Sequence, residues 1–299
     1  MIAAVVAMAL AAGSAGAQVP GVGPAPIPGG QDGTHSTGAP PPSRLVLTSD
    51  ELSVTPGTHV AVATGAVHAR SSEMDVTCDR GRATYESNPS GATRQVDELD
   101  ASGHVHLIRT LDGLVADAAS ATWWRATNEM VLEGDAVVHR GNDVLRGSRI
   151  TVWLANDGYD ADHPRVLLAR SSEPARVSAT RLAVRDGGRS ARFTGAVHLS
   201  QGETRATSDR MDAAIDGSGL DQKALSRLVL LGHARIVKGA MIATARRATY
   251  DATNGDLVLT GAPRVDSKGD VIEGERITVN GRTGQARAER ATAHVKADR

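Results

Sequence analysis

The sequence predicts an all-β chain built from two copies of one pattern, and three observations carry that expectation. From Arg44 onward the apolar residues recur with a period of two, as in "RLVLTSDELSV", "SRITVWLAND", "RFTGAVHLS" and "ATAHVKA", the alternation of strands covered on one face. Gly, Asn or Asp interrupts this alternation roughly every 8 to 12 residues, as turns between short strands do. The pattern is also written twice. "GHVHLIRTLDGLVADAASATWW" from Gly103 returns as "GHARIVKGAMIATARRATYD" from Gly232, with Leu114, Val115 and Ala116 meeting Met241, Ile242 and Ala243, and "VLRGSRITVWL" returns as "VIEGERITVNG".

Along the chain, residues 1–17 read as a signal peptide. An apolar run ends at Ala15, Gly16 and Ala17, an A-x-A site. No Lys or Arg precedes the run, and an uncleaved membrane anchor is the alternative, although Gly13, Gly16 and Pro20 shorten it below the ~20 residues of a spanning helix. Residues 18–43 are rich in Pro and Gly and lack a periodic apolar pattern, as a disordered linker does. Gly21 and Gly23 do not make a dinucleotide loop, because Pro26 stands where a third glycine belongs and no strand precedes them. The folded part divides into repeats over 44–160 and 161–299, with the boundary in "DGYDADHPRV", where Gly158, Asp160, Asp162 and Pro164 cluster. The one stretch with a helical look, "ADAASATWWRATNEM", reads as a hairpin, since its counterpart "ATARRATYDATNGD" carries a hairpin turn.

Six glycines (Gly65, Gly103, Gly134, Gly195, Gly232 and Gly261) are expected to open six similar strands. Two and four residues after them stand Val67, Val105, Ala136, Val197 and Ala234, and Leu107, Val138, Leu199, Ile236 and Val265. These ten form the expected lining of an apolar groove. His68, His106, Val137, His198, Arg235 and Arg264 lie between, so the opposite face is mostly wet.

Composition removes several functions. With 33 basic and 34 acidic residues the formal net charge is -1, so no nucleic-acid partner is expected. The lone Cys78 allows neither an internal disulfide nor a thiolate zinc site. His68, His104, His106 and His198 invite a metal reading but lack a metalloprotease-type spacing, and no metal is expected. Asp75, Asp79, Asp117 and Asp209 could serve a glycan-processing enzyme, yet Asp79 and Asp209 occupy equivalent places in the two copies, as structural positions do. No G-x-S-x-G elbow is present, and no catalytic residue or cofactor is expected.

The succession of a G-x-V strand, a D-x-A-x-Y/W strand, L-x-G and G-x-x-I-x-V resembles the OstA-like family, which includes LptA, LptC and the N-terminal part of LptD. Its signatures read "GHVHLIRTLDGLVADAASATWWRATNEMVLEGDAVVHRGNDVLRGSRITVWL" in the first copy and "GHARIVKGAMIATARRATYDATNGDLVLTGAPRVDSKGDVIEGERITV" in the second. The resemblance implies a twisted, open β-jellyroll of antiparallel strands in two tandem OstA-like repeats. It implies a periplasmic protein that shields lipopolysaccharide acyl chains and bridges inner to outer membrane by stacking edge to edge on LptC-like and LptD-like jellyrolls, or on itself. A structural envelope scaffold without lipid cargo is the alternative. The edges expected to stack are "SRLVLTSDELSV" and "QARAERATAHVKADR", where Arg287, Arg290, Lys296 and Arg299 are equally placed to prevent it. Arg109, Arg140, Arg146 and Arg149 are candidates for a basic rim.

Overall fold

The computed structural model describes residues 46–295 apart from 56, 73, 87–94, 111–112, 157, 170–172, 217–223 and 282. The expected signal peptide, the linker, Lys296 and Arg299 lie outside the described residues. Every regular element within them is a strand. In chain order these are β1 (Val46–Thr48), β2 (Glu51–Thr55), β3 (Val60–Arg70), β4 (Met74–Glu86), β5 (Gln95–Arg109), β6 (Leu114–Trp124), β7 (Glu129–Arg140) and β8 (Asp143–Trp153). Short strands follow at the middle of the chain: β9 (Gly158–Asp162), β10 (Arg165–Leu168), β11 (Ala175–Ser178) and β12 (Arg181–Arg185). Then come β13 (Ser190–Gln201), β14 (Thr204–Asp216), β15 (Ala224–Lys238) and β16 (Met241–Asp251). The last six are β17 (Asp256–Thr260), β18 (Arg264–Ser267), β19 (Asp270–Glu273), β20 (Arg276–Asn280), β21 (Ala286–Glu289) and β22 (Thr292–His294).

All of them belong to one antiparallel sheet. The long strands pair with their sequence neighbours, and the short ones act in twos as halves of a long strand. Both β1 and β2 pair with β3, β9 and β10 with β8, β11 and β12 with β13, and β17 and β18 with β16. The sheet therefore crosses the middle of the chain through β8, the β9/β10 and β11/β12 halves, and β13 without losing its ladder. The segment 114–140, which carries both neighbouring tryptophans, is the β6–β7 hairpin.

The six glycines do not open strands, as the sequence pattern suggested. Five of them lie inside β3, β5, β7, β13 and β15, and Gly261 separates β17 from β18. Each is followed by a second left-handed residue; at Gly103 and His104 the φ angles are 76° and 48°, and at Gly232 and His233 they are 72° and 46°. Two residues then oppose one on the neighbouring strand, and the ladder shifts register at that point. Such a bulge bends the strand and raises its twist. Each strand is thus divided by a corner into two limbs. Limb A contains β2, β9, β12, β17, β20 and β21; limb B contains β1, β10, β11, β18, β19 and β22. Every long strand contributes to both.

The residue facing Gly103 is Asp79, and that facing Gly232 is Asp209; their carboxylates bond the Nδ1 atoms of His104 and His233 at 2.8 and 2.9 Å. A left-handed residue with a Cβ costs roughly 1–2 kcal/mol, and here a local side-chain hydrogen bond accompanies it. A Cβ added at Gly103 would collide with the Asp79 carboxylate.

The two faces of the sheet differ sharply. One is a single apolar cluster that takes in both limbs and both repeats. The other carries arginine–carboxylate pairs, among them Arg70–Asp75 at 2.8 Å, Arg125–Asp97 at 2.8 Å, Arg149–Glu133 at 2.6 Å and Arg192–Asp212 at 2.8 Å. The Asp212 carboxyl is partly buried, which by itself disfavours its charge, but hydrogen bonds from Arg210 and Arg192 outweigh this and hold it below its ordinary range.

Two outcomes follow from this geometry. Gly103→Ala loses stability by more than the ~1 kcal/mol of an ordinary surface change, because it combines a left-handed backbone with a blocked Cβ; urea denaturation measures it. Asp212→Asn lowers stability at pH 7 by under about 1 kcal/mol. Because the folded carboxyl titrates below the ordinary 3.8, its contribution is present above that pH and lost as pH falls through the folded value. Parallel urea titrations at neutral and acid pH read a gap between the two proteins that closes in acid.

Candidate functional site

All ten lining residues expected from the sequence are interior. Val67, Val105, Leu107, Ala136 and Val138 in the first half, and Val197, Leu199, Ala234, Ile236 and Val265 in the second, are each at most 5% exposed and share one cluster. The strand register explains why. Across limb B, directly opposed residues run Leu47, Ala69, Val76, Leu107, Ala116, Val138, Leu145, Val166, Val177, Leu199, Ala206, Ile236, Ala243, Val265, Ile272 and Ala293. Every member is apolar. At about 4.8 Å per strand the row extends on the order of 70 Å, and it passes from one repeat to the other at Leu145, Val166, Val177 and Leu199 with no polar break.

The other wall of the interior was not singled out from the sequence. Limb A carries its own row: Leu52, Ala63, Gly81, Ala101, Ala121, Leu132, Ile150, Ala161, Leu182, Phe193, Met211, Leu230, Ala248, Leu259, Ile277 and Ala288. The signal was there, two residues before each glycine: Ala63, Ala101, Leu132, Phe193, Leu230 and Leu259. It was hidden by taking each glycine as the start of a strand.

The two repeats differ along this second wall. Where the first has Ala63, Gly81 and Ala101, the second has Phe193, Met211 and Leu230. A cavity of about 100 Å³, bounded by these small residues together with Val67, Leu107 and Trp123, lies in the first repeat. A smaller one of about 30 Å³ adjoins it, and Met74, Leu107 and Met130 touch both. In the second repeat Phe193 and Met211 are 3% and 0% exposed, filling the space that alanine and glycine leave in the first.

The polar candidates are scattered over the outer face. His68 bonds Asp75 at 2.6 Å, His104 bonds Asp79 and His106 bonds Asp117 at 2.7 Å, while His198 is remote from them on β13. Among the described residues no group of three or more His, Cys, Asp or Glu is placed to hold a metal ion. Hydrogen bonding from Arg70, with help from His68, keeps the Asp75 carboxyl below its ordinary range, which suits a fixed anion and not a proton donor. Burial pushes the Cys78 thiol up, so it is a core side chain of low reactivity. The four rim arginines do not converge. Arg109 and Arg140 end β5 and β7 on limb B, whereas Arg146 and Arg149 point outward from β8 on opposite sides of its corner.

A bent antiparallel sheet whose limbs enclose a row of apolar side chains, repeated twice, defines an open β-jellyroll with an oily interior and a charged exterior. The model of the LptA/(LptD N-terminal domain) LPS transport protein family matches the chain over residues 47–157 and again over 176–285; the chain belongs to that family. It is 30% identical over 119 residues to the LPS-assembly protein LptD of Aromatoleum aromaticum (strain DSM 19018 / LMG 30748 / EbN1), a match that takes in 40% of this chain and 14% of that protein. Among solved structures it is similar to LptH, the LptA homologous periplasmic component of the lipopolysaccharide transport device of Pseudomonas aeruginosa, with a TM-score of 0.38 and 20% identity over 42% of this chain and 96% of that one.

Because Leu107 stands between the two cavities, Leu107→Ala joins them into one. The variant is expected to lose about 2–5 kcal/mol in denaturant unfolding and to raise the fluorescence of an added apolar dye above that of the parent protein.

Proposed function

We propose that this protein carries the acyl chains of lipopolysaccharide between its limbs, in the periplasm, on the way from inner to outer membrane. The observation that supports this most is the unbroken apolar row of limb B, which runs through both repeats and is faced by a second apolar row. Each CH₂ withdrawn from water contributes roughly 0.8 kcal/mol, so a chain of about twelve carbons gains on the order of 10 kcal/mol before ordering costs. Many similar contacts of this kind hold a chain without fixing it at one place, as onward transfer requires, and no catalytic group takes part. The reading treats 44–160 and 161–299 as the two repeats, with residues 1–17 directing export and 18–43 as a linker.

The interior volume sets a condition on carriage. A cavity of roughly 150 Å³ accommodates a benzene, whereas the larger void here is about 100 Å³. A long acyl chain therefore enters only if the limbs part, and the small residues of the first repeat make that the easier end. The filled interior of the second repeat favours a second reading, an envelope scaffold that carries no lipid.

The ends of the meander bear on partners. Among the described residues, β1 and β2 pair only with β3, and β21 and β22 only with β20 and β19, so both ends of the described sheet present an edge. Val46, Leu52 and Val54 at one end are 53%, 54% and 45% exposed, and Val295 at the other is 74% exposed. Strand addition at such edges would join LptC-like and LptD-like jellyrolls, or further copies of this chain. Arg290 is engaged by Glu275 at 2.6 Å, which reduces its effect as a charged guard at the second edge.

A photo-crosslinking residue placed at Leu107 or at Ile236 separates the readings. Carriage through both repeats gives adducts with lipopolysaccharide in cells from each position. Adducts from neither position would leave the scaffold, and adducts from Leu107 alone would confine the lipid to the first repeat.

A further inference from the structure

Arginines such as Arg70, Arg125, Arg149 and Arg192 stand beside a carboxylate on the outer face, and one hollow gathers several that do not. Where the two repeats meet, the outer surface of limb B forms a concavity of about 510 Å³ across β8, β10, β11, β13 and β14, within the ~300–1,000 Å³ range of small-molecule sites. Arg146, Arg165, Arg176, Arg205 and His198 line it, and no carboxylate does. Among the described residues, none of these five side chains has an ion-pair or hydrogen-bond partner.

The register makes the arrangement costly. Arg165 lies directly opposite Arg146, and Arg176 is joined to Arg205 through Ser200, which is opposite both. Like charges facing each other across an antiparallel pair destabilise it. Elsewhere on this sheet the same kind of position is neutralised, as where Arg192 faces Asp212 or Arg264 faces Glu273. A local excess of guanidinium groups, gathered in a hollow and lacking a counter-charge among the described residues, calls for an anion from outside.

We propose that this concavity binds a phosphoryl group carrying at least two negative charges, borne either by the headgroup of an anionic lipid or by a soluble solute. One carboxylate is satisfied by the fork of a single arginine. Several forks on adjacent strands, about 4.8 Å apart, suit the more numerous oxygens and higher charge of a phosphoryl anion. The site lies on the face opposite the apolar rows and does not depend on lipid carriage between the limbs.

Calorimetric titration of the full chain with inorganic pyrophosphate at low ionic strength tests the site. The parent protein shows saturable binding. The double variant Arg165→Gln/Arg176→Gln binds about tenfold more weakly or worse, while Arg227→Gln/Arg276→Gln, in a hollow that also contains Asp251 and Asp256, binds as the parent does. Thermal unfolding gives an independent reading. Arg165→Gln alone raises the Tm of the free protein by relieving its repulsion with Arg146, and it diminishes the further rise that pyrophosphate gives the parent. Absence of saturable binding by the parent, or equal affinity in the Arg165/Arg176 variant, overturns the proposal. Flotation with phosphatidylcholine vesicles containing phosphatidic acid, whose phosphomonoester can carry two negative charges, then identifies the source. Flotation that depends on Arg165 and Arg176 assigns a lipid headgroup, and pyrophosphate binding without flotation assigns a soluble phosphorylated solute. Interior crosslinking from Leu107 or Ile236 is unaffected by either result.

Discussion

The structure depends on a backbone constraint: two consecutive left-handed residues, set against one residue of the next strand, at the middle of alternate strands. A flat sheet with one apolar face would present that face to water or to a second sheet. Here the sheet bends at every strand along one line, and its own two limbs cover each other. On the glycine-bearing strands the period-two alternation survives the corner because two residues stand against one, whereas the strands between them step by three, as from Ala118 to Ala121 and from Ser208 to Met211. Ala63 and Val67 therefore face the interior from either side of Gly65, as Leu230 and Ala234 do around Gly232.

This also explains what was legible in the sequence. Alternation, hairpins and duplication are local or periodic signals, and all were readable. The interior position of the ten residues on limb B was legible because they follow a glycine at fixed spacing. Their partners on limb A precede it, and a glycine taken for a strand opening concealed them. Whether a glycine begins a strand or bends one is decided by φ and by the residue across the ladder, such as Asp79 beside Gly103, and neither is local in sequence. The arginine hollow was equally hidden. Arg146 was noticed with three other arginines near it in sequence, but its neighbours in space are Arg165, Arg176 and Arg205, which only the register brings together.

Inside and outside obey different rules. Inside, side-chain volume is the variable: alanine and glycine leave a void in the first repeat where phenylalanine, methionine and leucine fill the second. Similar backbones therefore offer different room to a guest, and the duplication is not a plain doubling. Outside, pairing of opposite charges is the variable: it holds at Arg70, Arg125, Arg149 and Arg192 and lapses in the hollow at the seam between repeats. The two departures from uniformity, a void on one face and an unbalanced charge on the other, lie on separate surfaces of the same strands.

The seam has a further consequence. Because β8 is paired with β9 on one side of its corner and with β10 on the other, the halves meet as rungs of one ladder and not as bodies on a swivel. Left-handed corners fall on every second strand, so the smallest increment that restores strand direction, corner and inward-facing pattern is a pair of strands, adding about 10 Å. The length of such a folded sheet can thus change in whole steps while its cross-section is conserved.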